Sequence, residues 1–402
     1  MGRFLLLGLI AVSCAANAQG TDFRACVQNL RADASGQGIS NQTFDSALKG
    51  VEPDPSVLEA MDSQPEFKTP IWDYLASLVD DQRIADGKAR LEQWAPVLEA
   101  AEQKFGVDRH VIVAVWGVES DFGKSLGGRP LVRSLATGAC SGRRTKFFRD
   151  ELMATLRILQ NGDMPAEALR GSWAGAFGQT QFMPTTYQRL AVDFDGDGRR
   201  DIVGSVPDAL GSTANFLMKA GWVKGQPWGY EVRLPGGYSG PSGRGNRQTL
   251  AQWSNLGVLT AEGQPLTGSA PAALLLPAGP KGPAFLLFNN FNAIYSYNAA
   301  ESYGLAIAHL SDRLRGGGPF KAAWPTDDPG LSRAQRRELQ ELLGARGFDV
   351  GTPDGAIGPR TRAAIRGFQV SAGLPEDGHA GMKALDALRA KSQPPQAKDS
   401  VR

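Results

Sequence analysis

Apolar residues recur every three or four positions over most of the chain, the period of an amphipathic helix. The stretch DYLASLVDDQRIADGKARLEQWAPVLEAAEQKFG, residues 73–106, predicts two helices closed by Gly106. RDELMATLRILQNG, residues 149–162, predicts another, stopped by Gly162. Asp108 is a good N-cap for a helix over RHVIVAVWGV. On that helix Ile112, Val115 and Glu119 share a face, so a stripe that should pack inward ends in a carboxylate. Such a carboxylate is either paired or held with a raised pKa for chemical work. The helical pattern runs from Thr21 to about Arg315 with one interruption. Residues 230–284 are rich in Gly, Pro and short apolar runs, and read as strands and turns of an inserted β subdomain. Helix returns at AAESYGLAIAHLSDRLR.

Residues 316–330, GGGPFKAAWPTDDPG, have the composition of a linker. A small unit follows over residues 331–389. Ser332 and Gln335 are spaced as a capping box before RRELQELLGARG, whose stripe is Leu339, Leu342 and Leu343. Asp354-Gly355 marks a turn, Pro359 a helix start and Gly373 a helix stop. AGMKALDALRA gives a third short helix, and Leu342, Ile357, Ile365 and Phe368 are the expected core. Residues 390–402 read as a disordered tail. The fold class is mainly α (α+β): a helical domain over residues 21–315 with a β insert, and a three-helix C-terminal domain.

Composition changes this little. A chain of 402 residues, 42% hydrophobic and 21% charged, is an ordinary soluble multidomain protein. A net charge of +2 points to no nucleic-acid partner. The N-terminus changes it more. MGRFLLLGLIAVSCAANAQG has Arg3, an apolar run from Phe4 to Val12, and Ala16-Asn17-Ala18. That is the layout of a signal peptide over residues 1–18 with an A-x-A cleavage site, hence export to the periplasm. The run is too short for a transmembrane helix, and no other stretch is long and apolar enough. Cys14, preceded by AVS, leaves a second reading as the lipidation site of an outer-membrane lipoprotein. Ala11, where leucine is usual, weighs against it. Membrane attachment follows only from a lipidated Cys14. If Cys14 leaves with the signal, Cys26 and Cys140 suggest one disulfide in an exported chain; two free buried thiols are the alternative. These cysteines and three scattered histidines, His110, His309 and His379, offer no zinc or Ser-His-Asp arrangement.

A second stretch carries as much chemistry as the first: GSWAGAFGQTQFMPTTY, residues 171–187. Gly and Ala let a backbone come close to a ligand. Trp173, Phe177, Phe182 and Tyr187 supply flat faces, and Gln179 and Gln181 supply donors and acceptors. Aromatic faces with amides suit a sugar; a tightly packed helical hairpin is the alternative. VWGVESDFG followed by this stretch resembles the bacterial lytic transglycosylases of the membrane-bound B type, which cleave peptidoglycan strands. GRRTKFF, DFDGDGRRDI, NFLMKAGW and FNNFNAIYSYNAAESYGLAI extend the resemblance, in order, over most of residues 22–315. The C-terminal unit resembles a peptidoglycan-binding helical domain.

The resemblance implies a lysozyme-like fold with one catalytic carboxylic acid, Glu119. Glu119 would protonate the oxygen leaving N-acetylmuramic acid, then take the proton of that sugar's own 6-hydroxyl. The product is a 1,6-anhydro ring and no cofactor is needed. One carboxylate then suffices, unlike the usual glycosidase pair. A hydrolytic muramidase using the same acid, or a non-catalytic wall-binding protein, remains open. Asp121 would point elsewhere on a continuing helix, and is expected to cap or pair locally. The resemblance also implies a cleft lined by Ser172, Gln181, Phe182 and Met183 on one wall. Tyr297, Asn298 and Tyr303 line the other, with Tyr303 orienting the acid or the acetamido group. Arg143 and Arg144 are a basic pair for the lactyl carboxylate or stem peptide, or else a solvated turn. Phe216 stands where relatives often have tyrosine. The implied partner is the glycan strand, with proteins of cell-wall synthesis or the divisome as further candidates.

DFDGDGRRDI resembles an EF-hand loop, with Asp193, Asp195 and Asp197 at positions 1, 3 and 5 and Gly198 at 6. Position 12 is Gly204 rather than Glu, and the resemblance gives Asp208 as the closing ligand. Arg199 would offer its carbonyl, and Asp201 would act directly or through water. Any calcium would be structural; an empty turn bridged by Arg199 and Arg200 is the alternative.

Overall fold

The computed structural model describes residues 11–61, 69–141 and 143–390, with side chains from residue 22 on. Of the expected signal peptide, residues 1–10 lie outside the described residues, as does the expected tail beyond Ala390. No side chain is described at Cys14.

The helices are α1 (Ala11–Gly36), α2 (Asn41–Leu48), α3 (Pro55–Met61), α4 (Ile71–Leu78), α5 (Asp81–Gln93), α6 (Ala95–Phe105), α7 (Arg109–Ser120), α8 (Leu131–Cys140), α9 (Thr145–Asn161), α10 (Pro184–Leu190) and α11 (Val206–Lys219). After the sheet region, which contains α12 (Leu250–Asn255), come α13 (Asn289–Asn298), α14 (Glu301–Leu314), α15 (Arg333–Gly344), α16 (Pro359–Ala372) and α17 (Met382–Ala390). The chain forms two compact units. One comprises the chain to Gln64, Pro96–Phe105 and Val115–Phe216; the other comprises Pro65–Ala95, Gly106–Ala114 and everything from Leu217 on.

The first unit is built on α8 against α9. Leu131, Leu135 and Ala136 of α8 and Leu152, Met153 and Leu156 of α9 are all buried. The helices approach closely because position 138 is glycine: a Cβ there would lie 2.4 Å from the Phe148 ring. Gly162, in the left-handed conformation, ends α9 where the pattern predicts. Cys26 of α1 and Cys140 at the end of α8 form a disulfide.

The second unit carries the β insert. Strands β3 (Gly229–Arg233), β4 (Arg247–Thr249), β5 (Leu259–Thr260), β6 (Pro271–Leu275) and β7 (Ala284–Leu287) pair antiparallel in the order β4-β6-β7-β3-β5. Trp253, Leu274, Leu286 and Phe288 fill its core. Residues 316–330 form neither helix nor strand, yet they are not a free linker. Glu231 accepts hydrogen bonds from the backbone of Lys321 and Ala322, both at 2.7 Å. Phe320 stacks on His309 with centroids 3.8 Å apart, and Trp324 packs on Trp72. The segment is a strap laid along α14 and α4. In α15–α17 the core is Leu339, Leu343, Ile365, Phe368 and Leu385, with Leu342 and Ile357 packed at its margin. Among the described residues no helix is long and apolar enough to cross a membrane.

Candidate active site

Glu119 stands one residue before the end of α7 and is half-buried. The helix before it is buried all round from Val111 to Trp116, rather than along one stripe. It stops at Ser120 because the next three residues are left-handed: Asp121 at φ 51°, Phe122 at 59° and Gly123 at 82°. Glycine enters that region without penalty; Asp121 and Phe122 do so at a cost. Asp121 therefore turns off the helix, and its carboxylate lies 3.8 Å from Lys124 Nζ. Phe122 is buried edge-on against Trp116.

The 171–187 stretch is a knot of tight backbone turns. Strand β2 (Arg170–Gly171) pairs with β1 (Arg129–Pro130), Gly171 bridges Phe177, and Phe177 bridges Phe182. Ser172 N donates to Ala176 O at 2.8 Å, and Ser172 Oγ accepts from Ala176 N at 3.1 Å. The small residues thus let the backbone approach itself, where the sequence suggested a ligand. A Cβ on Gly171 would lie 2.0 Å from Ala176 O. Gln181, at φ 50°, donates from Nε2 to Gly178 O at 2.9 Å and Leu126 O at 3.1 Å.

The aromatic residues lie otherwise than the sequence suggests. Phe177, Phe182 and Tyr187 are fully buried, so they present no face to a sugar. Tyr187 Oη donates to Arg200 O at 2.8 Å, and Phe182 packs on Phe216 with centroids 6.0 Å apart. Phe182 lies in the interior, while Ser172, Trp173, Gln181, Met183 and Phe216 keep surface. Gln179, expected to meet the sugar, is buried and hydrogen-bonded within the protein. Arg143 and Arg144 are exposed; Arg143 donates to Met61 O at 3.4 Å, and Arg144 lies 4.1 Å over the Phe147 ring.

In the second unit, Tyr297 is half-buried and stacks on the buried Tyr303, with centroids 6.3 Å apart and planes 19° apart. Asn298 is exposed at the end of α13, followed by Ala299 at φ 44°. Among the described residues the non-glycine residues with positive φ are Asp121, Phe122, Gln181 and Ala299. All four fall inside three of the six motifs that carry the resemblance over residues 22–315. Strain of this kind persists where surrounding structure enforces it, and it gathers at functional sites.

The acidic loop brings Asp193, Asp195 and Asp197 together, with a carboxylate oxygen from each within 4.8 Å of the others. The donor set is hard oxygen, which fits calcium. Asp208 is placed otherwise than expected. Its Oδ1 accepts from Phe194 N at 2.7 Å and Asp195 N at 3.3 Å, and its Oδ2 from Asp201 N at 2.7 Å. The carboxylate thus holds the loop's backbone from within, and burial raises its pKa against those bonds. Asp201 Oδ1 likewise accepts from Val203 N and Gly204 N, at 2.9 and 2.8 Å. Arg199 N donates to Asp197, and Arg200 pairs with Asp163 at 3.1 Å, so neither arginine bridges the triad by a described bond.

The chain thus combines strained turns on the Glu, Gln and Tyr motifs with a helical scaffold, a β insert and a three-helix appendage. Residues 22–312 match the transglycosylase SLT domain family, and residues 332–388 match a peptidoglycan binding domain family. The chain belongs to the transglycosylase SLT family. It is 32% identical over 289 residues to membrane-bound lytic murein transglycosylase B of Escherichia coli K12, covering 69% of this chain and 79% of that protein. It matches the crystal structure of SltB3 from Pseudomonas aeruginosa in complex with NAG-anhNAM-pentapeptide at 50% identity and TM-score 0.73, covering 91% of this chain and 99% of that one. The E. coli lytic transglycosylase Slt35, solved in complex with calcium, matches at 28% identity and TM-score 0.65, covering 74% and 94%.

Proposed function

We infer that the protein is a peptidoglycan lytic transglycosylase that cleaves the β-1,4 bond between N-acetylmuramic acid and N-acetylglucosamine. The observation that carries this is likeness over nearly the whole chain to a protein crystallised with an anhydro-muramyl ligand. Glu119 is the acid. Its neutral carboxyl donates a proton to the glycosidic oxygen as the bond to the muramyl C1 breaks. The acetamido oxygen of that sugar supports C1. The carboxylate then takes the proton of the C6 hydroxyl, whose oxygen closes on C1. No water is consumed, and Glu119 ends protonated as it began.

Ser172, Gln181, Met183 and Phe216 of the first unit act in substrate binding, as do Tyr297, Asn298 and Tyr303 of the second. The pairing of Tyr297 with Tyr303 supports a held phenol for the sugar. Arg143 and Arg144, both exposed, suit the lactyl carboxylate or stem peptide. Asp193, Asp195 and Asp197 hold calcium as a structural ion, and Asp208 keeps their loop in shape. The C-terminal domain holds the enzyme on the polymer, and the N-terminal signal sends it to the periplasm.

Mass spectrometry of muropeptides released from purified peptidoglycan tests the chemistry. Wild type should release products one water lighter than lysozyme products, and Glu119→Gln should release none. Reducing ends of full mass would make the protein a hydrolytic muramidase. Binding without release by wild type would leave a wall-binding protein.

A further inference from the structure

Gln179 uses each of its polar groups, and divides them between two elements. Toward α7, its Oε1 accepts from Trp116 Nε1 at 3.0 Å, and its carbonyl accepts from Ser120 Oγ at 2.5 Å. Ser120 Oγ in turn accepts from Gly123 N at 2.9 Å, closing the left-handed turn after Glu119. Toward the acidic loop, Gln179 N donates to Ile202 O at 2.9 Å, and Nε2 to Val203 O at 3.3 Å. Val203 N is held by Asp201, and Asp201 N by Asp208. An unbroken series of hydrogen bonds therefore runs from Asp208 through Asp201, Val203 and Gln179 to both neighbours of the Glu119 turn.

The surroundings are built around this residue. Gln179, Trp116, Ser120 and Ile202 are all buried. Position 123 is glycine where a Cβ would lie 2.8 Å from Gln179 Oε1, and position 178 is glycine where a Cβ would lie 2.8 Å from Ile202 O. The sequence offers Gln179 to the sugar, but its amide is buried and bonded within the protein through both Oε1 and Nε2. Buried networks with every member satisfied fix a single geometry, and loss of one partner exposes the others to the full desolvation penalty.

We propose that Gln179 is a positioning residue for the reaction: it couples the shape of the acidic loop to the placement of Glu119. This rests on the reading of Glu119 as the acid. Displacing a reacting group by about 1 Å costs about 100-fold in rate. Binding of the glycan, which other residues supply, should be spared.

The test compares Gln179→Met, Trp116→Phe and Asp208→Asn, alone and in pairs, in the full-length protein on purified peptidoglycan. Trp116→Phe removes the Nε1 donor with part of the ring, leaves Gln179 in place, and serves where Gln179→Met does not fold. The expected result is a fall in kcat of about 10- to 100-fold for Gln179→Met with KM within about twofold. The limb of the pH–rate profile that reports the acid should be displaced. Gln179→Met and Asp208→Asn together should lose less than the product of their separate losses, because each breaks the same relay. A merely structural glutamine would lower thermal stability and leave kcat per folded molecule and the pH profile unchanged. That result in Gln179→Met, or in Trp116→Phe, overturns the proposal while an inactive Glu119→Gln leaves the reading of the acid intact. An active Glu119→Gln overturns both.

Discussion

At Gly171 the backbone, not a side chain, shapes the turn that carries Ser172. A methyl added there would sit 2.0 Å from Ala176 O, on backbone that cannot rotate away. Overpacking of this kind costs about 1–3 kcal/mol, and Ser172 is the next residue in the same bridge. Gly171→Ala should therefore lower the urea midpoint and cut activity, whereas Gly128→Ala, with nothing within 4 Å of its Cβ, should do neither. Comparable losses in the two would show that chain flexibility, not space, is what glycine supplies here. Glu119 stands out at this scale because a charge at the end of an apolar run violates the pattern around it. Phe177, Phe182 and Tyr187 do not. An aromatic among glycines reads the same whether it faces a sugar or a core, and only tertiary packing separates them. Asp208 was misplaced for a related reason: spacing shows where a carboxylate falls in a loop, but not that backbone amides inside the loop claim it.

The elements most legible in the sequence are those that close on local chemistry. Ser332 Oγ accepts from Gln335 N at 3.3 Å, and Ser332 N donates to Gln335 Oε1 at 2.9 Å, the reciprocal cap that the spacing predicts for α15. Ser332→Ala should destabilise the C-terminal domain by about 1 kcal/mol, and Ser332→Asp, which keeps an acceptor, by much less. Equal losses by thermal denaturation would mean that the cap contributes through packing. The β insert was legible through its Gly, Pro and short apolar runs, although its order, with β6 between β4 and β7, was not. The end of α7 was hidden for a clear reason. Asp121 and Phe122 are poor residues for left-handed backbone, and the contacts that hold them there include a distant one, Ser120 with Gln179. The N-terminus of α10 shows the same limit. Met183 gives no side-chain cap; Glu151 of α9 does the work instead, accepting from Thr185 N at 2.9 Å and Thr185 Oγ1 at 2.7 Å.

The strap over residues 316–330 shows how composition misleads at the scale of the molecule. Gly and Pro predict freedom, yet distant partners, Glu231, His309 and Trp72, pin it, and none is visible in a local window. The strap ends where the C-terminal domain docks, at His379. Its Nε2 lies 2.9 Å from Asp73 Oδ2 on α4, and its Nδ1 3.2 Å from Asp328 Oδ2 on the strap. Asp377 N-terminal to it adds a third carboxylate nearby, while Lys383 is drawn off to Asp327 at 2.6 Å. The hydrogen bond to Asp73, helped by the charges of Asp73 and Asp328, outweighs burial and pushes the His379 pKa up to about 9. A histidine whose pKa is raised on folding binds its proton more tightly in the folded state. Its contribution is complete below the unfolded value of about 6.5 and is lost as pH rises through about 9. The advantage of wild type over His379→Gln in thermal midpoint should therefore be largest near pH 6 and shrink steadily toward pH 10. Protease sensitivity of the strap should rise over the same window in wild type only, because the imidazolium is what holds the domain's loop to α4. A gap that does not vary with pH would assign the docking to the apolar contact of Trp72 with Trp324 and leave His379 as a neutral hydrogen-bonding bridge.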